Sequence, residues 1–321
     1  MSRLNQILIG LLAVQFIVVG VVFWPRPAAQ AQGAPLLAGL NAADVVKLTI
    51  SDGDGNQITL AKNGADWVLP EADDFPVQGD KITPFLDKLG TVKSNRLVTQ
   101  TEGSHQRLQV AADDFNRRVE LTLADGTTHK LYLGSSAGPA ATHVRADDRP
   151  EVFLTGDVNS WEANPEASAW IDTLYFTLPQ TATVALTLEN QHGKFEFEKN
   201  GDAWTMKGLA EGETLKDSEV TTLVNLASSV RLAQPIGRTE QADFGLAEPQ
   251  TVVTLTTADD TYTLQVGAKN AETNNYVLKA SNSPYYVWVS EPTASGFVNK
   301  TRADFLEAPP TPTTDQTSPS Q

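Results

Sequence analysis

The chain contains no cysteine. That absence excludes disulfides, thiolate zinc sites, iron–sulfur ligation and cysteine nucleophiles together, and it leaves stability to packing. Histidine is scarce as well: four residues, at 105, 129, 143 and 192, show no metal spacing such as H-E-x-x-H. Positive charge is in short supply. The 24 Lys and Arg stand against 39 Asp and Glu, a net charge of −15, which argues against nucleic acid because phosphate binding needs a basic face. No G-x-x-x-x-G-K-S/T stretch occurs, so the chain carries no P-loop ATPase. What is present is 321 residues at 40 % hydrophobic and 20 % charged, enough to bury a core and to make about two domains.

Long apolar runs are missing except for one. Residues 7–24, ILIGLLAVQFIVVGVVFW, hold a single strongly polar side chain, Gln15. As a helix they would reach about 27 Å, close to the hydrocarbon thickness of a bilayer, so the sequence predicts a transmembrane anchor with Trp24 at the interface. The competing reading is a signal peptide cleaved near Ala31, where Ala29-Gln30-Ala31 fits the small-x-small pattern, but the apolar core is longer than a signal core of about 7 to 15 residues. Arg3 and Arg26 flank the run and give a slight positive-inside bias. The expected organisation is a short cytoplasmic tail over 1–6, the anchor over 7–24, a Pro- and Ala-rich linker over 25–43, extracytoplasmic folded units over 44–178 and 179–306, and a disordered Pro/Thr tail over 307–321.

The two units come from self-similarity. Lys62-Asn63-Gly64-Ala65-Asp66-Trp67 recurs as Lys199-Asn200-Gly201-Asp202-Ala203-Trp204. Residues 45–50 match 183–188, residues 119–125 match 253–259, and Val144-Arg145-Ala146 answers Leu278-Lys279-Ala280, all in the same order. Each copy opens with a hairpin bounded by Gly and Asp and continues into a short strand bearing the Trp. A helix is expected next, with Ile82, Phe85, Leu86, Leu89 and Val92 on one face of the first and Val220, Leu223, Val224, Ala227 and Val230 on one face of the second. Asp80 and Asp217 or Ser218 are the expected N-caps. A four-strand meander closes each copy. The fold class predicted is therefore α+β: two tandem copies of an antiparallel sheet covered by a helix, following the transmembrane helix.

This arrangement resembles a known family. A signal anchor, repeated units with "KNGxxW", an apolar helix, Phe244-Gly245-Leu246 with Pro249 three residues on, and a strand ending in Gly are similar to the bacterial domain of unknown function 4340 family. The first copy departs from that pattern, with Leu108-Gln109-Val110 in place of the Phe-Gly-Leu. The resemblance implies an envelope accessory role, since the family is similar to a segment of auxiliary proteins of ABC transporters linked to gliding motility. It brings no catalytic residues.

Candidate chemistry is sparse. Gly134-Ser135-Ser136-Ala137-Gly138 fits G-x-S-x-G, but a nucleophile elbow needs a helix directly after it, and here Pro139 and a strand at Thr142 follow. Asp52-Gly53-Asp54-Gly55-Asn56 resembles the start of an EF-hand loop but lacks the Gly at position 6 and the Glu at position 12. Asp113-Asp114 and Asp259-Asp260 fall in predicted turns and read as solvated charges. Tyr285, Tyr286 and Trp288 form a possible contact patch. Tyr286 and Trp288 share one strand face and Tyr285 takes the other, so the group serves either packing between copies or recognition of a glycan or protein. The expectation is a non-catalytic binding or assembly module with no cofactor and no metal, held at the membrane by its N-terminal helix and meeting an envelope protein. The rivals are a glycan-binding module using the aromatic strand and a serine hydrolase using Ser136.

Overall fold

A computed structural model describes residues 33–308. The expected tail 1–6, anchor 7–24 and residues 309–321 of the C-terminal tail lie outside the described residues. None of the described helices is long and apolar enough to cross a membrane.

The first part of the chain forms β1 (Val45–Asp52), β2 (Gln57–Asn63), β3 (Asp66–Leu69), β4 (Phe75–Pro76), helix α1 (Gly79–Thr91), β5 (Leu97–Thr99), β6 (Arg117–Leu123), β7 (Thr128–Gly138), β8 (Ala141–Ala146) and β9 (Val152–Thr155). Its nine-stranded sheet runs in the order β4-β3-β2-β1-β6-β7-β8-β9-β5. The second part adds β10 (Leu174–Thr177), β11 (Ala185–Asn190), β12 (Gly193–Asn200), β13 (Ala203–Met206), helix α2 (Asp217–Ser228), β14 (Ser229–Arg231), β15 (Gln234–Gly237), β16 (Thr251–Thr256), β17 (Thr261–Lys269), β18 (Tyr276–Ala280), β19 (Tyr286–Val289) and helix α3 (Glu291–Val298). Eight of these strands make a sheet in the order β13-β12-β11-β16-β17-β18-β19-β15, while β10 and β14 pair by themselves. From β3 to β5 and from β13 to β15 the two large sheets place their strands in one sequence, and every pairing is antiparallel.

The expected fold class is corrected by this architecture. Nineteen strands among the described residues stand against three helices of 13, 12 and 8 residues, so the protein is mostly antiparallel sheet rather than an α+β unit. Short strands supply much of the difference: β4, β5, β10 and β15 lie in stretches read as connections and β14 takes the end of the expected second helix, all of two to four residues, too short for a period-two pattern to stand out.

Alternation explains the ladders. Leu48 and Ile50 of β1 lie opposite Leu60 and Ile58 of β2, and Leu186 and Leu188 of β11 lie opposite Phe197 and Phe195 of β12. Such cross-strand apolar pairs set the register, because a slip of one residue would turn each to the other face. Ile82, Phe85, Leu86 and Leu89 of α1 and Val220, Leu223, Val224 and Ala227 of α2 are buried, each large side chain contributing about 1.5–3 kcal/mol by leaving water. Val230 is buried too, but on β14, because α2 ends at Ser228. The expected caps are not used. Gln78 and Lys216 precede the helices without side-chain capping bonds, and the Asp217 carboxylate accepts instead from the Trp204 N–H at 2.7 Å.

One contiguous apolar cluster runs through both large sheets, from Leu36 and Leu37 through Trp67, Trp170, Phe176 and Trp204 to Phe305. Within the stretch 25–43 read as a linker, Leu36 and Leu37 are buried in this cluster and Leu40 and Ala42 pack against it. Gln78 N–H donates to the Trp170 carbonyl at 2.8 Å, and β10 pairs with β14, so the connection between the sheets is built into the body.

Candidate functional site

Ser136 lies near the end of β7, exposed, with its hydroxyl donating to the Gly138 carbonyl at 2.6 Å. No helix follows: β8 begins at Ala141. The histidine on the opposite strand, His143, meets the neighbouring Ser135. Its Nδ1 lies 2.8 Å from the Ser135 carbonyl oxygen, and a carbonyl can only accept, so that nitrogen carries the proton and cannot take one from the Ser135 hydroxyl. The Ser135 Oγ in turn donates to the Leu108 carbonyl at 3.2 Å. The arrangement closes a hairpin.

The Asp52 loop likewise satisfies itself. The carboxylate accepts from the Asp54 N–H at 3.0 Å, the Asn56 N–H at 2.9 Å and the Asn56 amide at 2.9 Å. Burial opposes ionisation, but these bonds, with the nearby Arg117 charge, outweigh it and hold Asp52 below the usual carboxylate range. Asp113, Asp114, Asp259 and Asp260 are all exposed. His105 is tied through Nε2 to the Pro150 carbonyl at 2.9 Å. Among the described residues no group of three or more His, Asp or Glu converges as metal ligands.

The aromatic strand has the richest surroundings. Tyr285 turns toward the first sheet, with its ring centroid 4.7 Å from that of Phe75 at 61° and its hydroxyl donating to the Asp74 carbonyl at 2.8 Å. The Arg238 guanidinium sits 4.7 Å above the same ring and donates to its hydroxyl, while the Arg238 backbone N–H donates to Asp73 Oδ2 at 2.6 Å. Behind it Tyr175 donates to the Tyr285 carbonyl at 2.6 Å and accepts from the Ala280 N–H at 3.1 Å. Burial raises the pKa of the Tyr175 phenol above its ordinary value. These residues form a seam between the sheets. Tyr286 and Trp288, on the other strand face, join a smaller cluster with Phe244, Leu246 and Val277. Phe244 and Tyr286 stand 5.3 Å apart at 50°, and the Tyr286 hydroxyl donates to Glu240 at 3.1 Å. Burial, then Glu240, pushes that phenol upward. Tyr285 and Tyr286 are buried and Trp288 is partly buried, so the three do not form one open aromatic face.

Next to the seam a cleft of ≈ 400 Å³ opens between the Gln57–Ile58 end of β2, the turn at Glu71 and Ala72, the connector at Glu166 and the start of β15. Glu71 and Glu166 are its charged side chains, and no Lys or Arg lines it.

Two features went unread in the sequence. Arg145 is buried, stacked 4.1 Å over the Tyr132 ring, with Nε donating to the Val110 carbonyl at 2.6 Å and a terminal nitrogen donating to the Asp147 carbonyl at 2.8 Å. Lys279, its counterpart in the matched triplet, stands 5.2 Å over Tyr286 and donates to the Ser283 carbonyl. Its own burial lowers its pKa. The triplet match was the available signal; the ring beneath each cation needed the fold. The second feature is the Gln109 loop. Gln109 adopts φ 55°, matching Gly245 at φ 65°, so Leu108-Gln109-Val110 takes the same left-handed step as Phe244-Gly245-Leu246. A Cβ on Gly134 would collide with the Leu108 carbonyl oxygen, and one on Gly267 with the Phe244 carbonyl oxygen. That contact is why each strand carries Gly beneath the loop.

The family pattern read in the sequence is thus a packing pattern. A family model described as Domain of unknown function (DUF4340) matches residues 67–241, more than half of the 321 residues. The chain belongs to the DUF4340 family. The DUF4340 match begins at Trp67 on β3 and takes in Asp73, Asp74, Phe75, Tyr175 and Arg238, leaving Tyr285 as the seam residue beyond it. No curated protein and no solved structure matches the chain.

Proposed function

We propose that this DUF4340 protein is a non-catalytic, membrane-tethered module on the extracytoplasmic side that binds or assembles components of the cell envelope. The observation that carries the reading is how its chemically capable groups are spent. Ser136 and Asp52 close their own turns, His143 holds a neighbouring backbone carbonyl, and Tyr285 fastens the seam. Side chains committed in this way hold shape. A body of two sheets fixed across one seam suits a scaffold, and the apolar run 7–24 supplies a tether that raises effective concentration beside membrane partners. The family resemblance adds the setting, an accessory to an ABC-transporter or gliding-type envelope complex.

The test is cross-linking in native membranes followed by mass spectrometry. The same envelope proteins are expected from replicate preparations of wild type and of Ser136→Ala. Hydrolysis of ester or peptide substrates by the wild-type chain that disappears in Ser136→Ala would overturn the reading.

A further inference from the structure

Strand β5 closes the first sheet in an unusual way. Leu97 and Val98 stand at a bulge, where the register against β9 slips between Leu97 and Thr99, and both are open to solvent, Leu97 at 51 % and Val98 at 42 %. Among the described residues β5 pairs with β9 alone, through Leu97↔Phe153 and Thr99↔Val152, so its outer edge is free. Just ahead of it, Lys93 and Arg96 are exposed, two cations on a chain of net charge −15.

The described chain begins at this same place. Gly33 N–H donates to the Asn95 side chain, Ser94 N–H donates to the Ala34 carbonyl at 3.1 Å, Pro35 bridges to Lys93, and Leu36 N–H donates to the Val92 carbonyl at 2.7 Å. The pairing is antiparallel, which sets Gly33 rather than Leu36 next to β5. Only residues 25–32 separate Gly33 from the apolar run 7–24, and eight residues reach at most about 29 Å when fully extended. If 7–24 crosses a bilayer, β5 is held within roughly that distance of its surface.

We infer that the β5 edge is a membrane-contacting face: Leu97 and Val98 enter the headgroup boundary of the bilayer that holds the chain's own N-terminal segment, and Lys93 and Arg96 face anionic headgroups. Apolar side chains flanked by Lys and Arg are what an interfacial segment requires, the former for insertion and the latter for attraction to a negative leaflet. This inference rests on the tethered reading proposed above and adds which face of the body meets the lipid.

The absence of cysteine makes the test clean, since Val98→Cys creates a unique labelling site. The full chain carrying a fluorophore there is reconstituted into vesicles of one part phosphatidylglycerol to two parts phosphatidylcholine that include a headgroup-nitroxide lipid. Val184→Cys, whose parent side chain is 41 % exposed just ahead of β11, is the reference. The expected result is several-fold stronger quenching at Val98 than at Val184, with the difference reduced by Lys93→Glu together with Arg96→Glu. Equal quenching at the two sites, in chains that stay with the vesicles after an alkaline wash, overturns the inference and leaves the tether standing. A Val98→Cys chain that instead oxidises to a disulfide dimer assigns the edge to a second copy and overturns it too. A chain that washes off the vesicles removes the tether and the inference together.

Discussion

Strands β15 and β5 hold the same place, last in the order of their sheets, yet one is covered and the other bare. Beside β15, the turn at Pro70–Ala72 and Asp73 close in, and Asp73 accepts the Arg238 backbone N–H, while Pro235 occupies a strand position that has no N–H to offer. Beside β5 lie exposed Leu97 and Val98 and a free backbone edge. An unpaired edge is a template for further pairing unless something blunts it. Here the first part of the chain blunts the second sheet by way of the Asp73 carboxylate, and Tyr285 of the second part reaches back to the Asp74 carbonyl. Sheets of like strand order thus end in differently covered edges because of what each one's neighbour supplies.

The covered edge is expected to fail hardest. Tyr285→Ala removes the Phe75 contact, the bond to Asp74 and the ring under Arg238; a loss of about 3–5 kcal/mol in denaturant unfolding is expected, as for other buried aromatics. An unchanged midpoint would show that Tyr285 does not stabilise the seam, and two separate transitions already in the wild-type chain would show that the seam does not couple the sheets. Next come Gly134→Ala and Gly267→Ala, which force a methyl group against a loop carbonyl in each sheet. Each should cost about 1–3 kcal/mol by overpacking, and near-equal costs would sharpen the likeness of the two loops. Asp73→Ala leaves the Arg238 N–H without its acceptor, and about 1–2 kcal/mol should be lost. Val98→Glu at the bare edge should stay within about 0.5 kcal/mol in detergent solution. Comparable losses from these two would erase the contrast between the edges. Opposite in sign is Gln109→Gly, expected to raise stability by about 0.3 kcal/mol because the left-handed backbone there suits glycine; a thermal melt at constant pH measures it.

Several parts of this fold were readable in the residues. Alternation separated Tyr285 from Tyr286 and Trp288, and packing keeps them apart, with Tyr285 in the main apolar cluster and Tyr286 and Trp288 in the smaller one. Spacing located the buried faces of α1 and α2. The missing helix after Ser136 told against a nucleophile elbow. Other parts could not be read. A three-residue strand has no period, so β5 was invisible, and an acid in a turn such as Asp73 looks solvated until Arg238, 165 positions away, is brought beside it. Asp217 has the chemistry of a cap, but the amide of Trp204 reaches it in the folded chain. Local preference named the residue types, and tertiary neighbours chose their partners.

The way the chain enters its own body carries a mechanical consequence. Residues 33–36 lie antiparallel to 92–95 and are held by several bonds side by side. A pull on the amino end along that direction loads them all at once, as rivets share a load, instead of opening them one after another like a zipper. Leu36 and Leu37, sunk in the core directly behind, would transmit the strain to the whole molecule before any single strand could peel away.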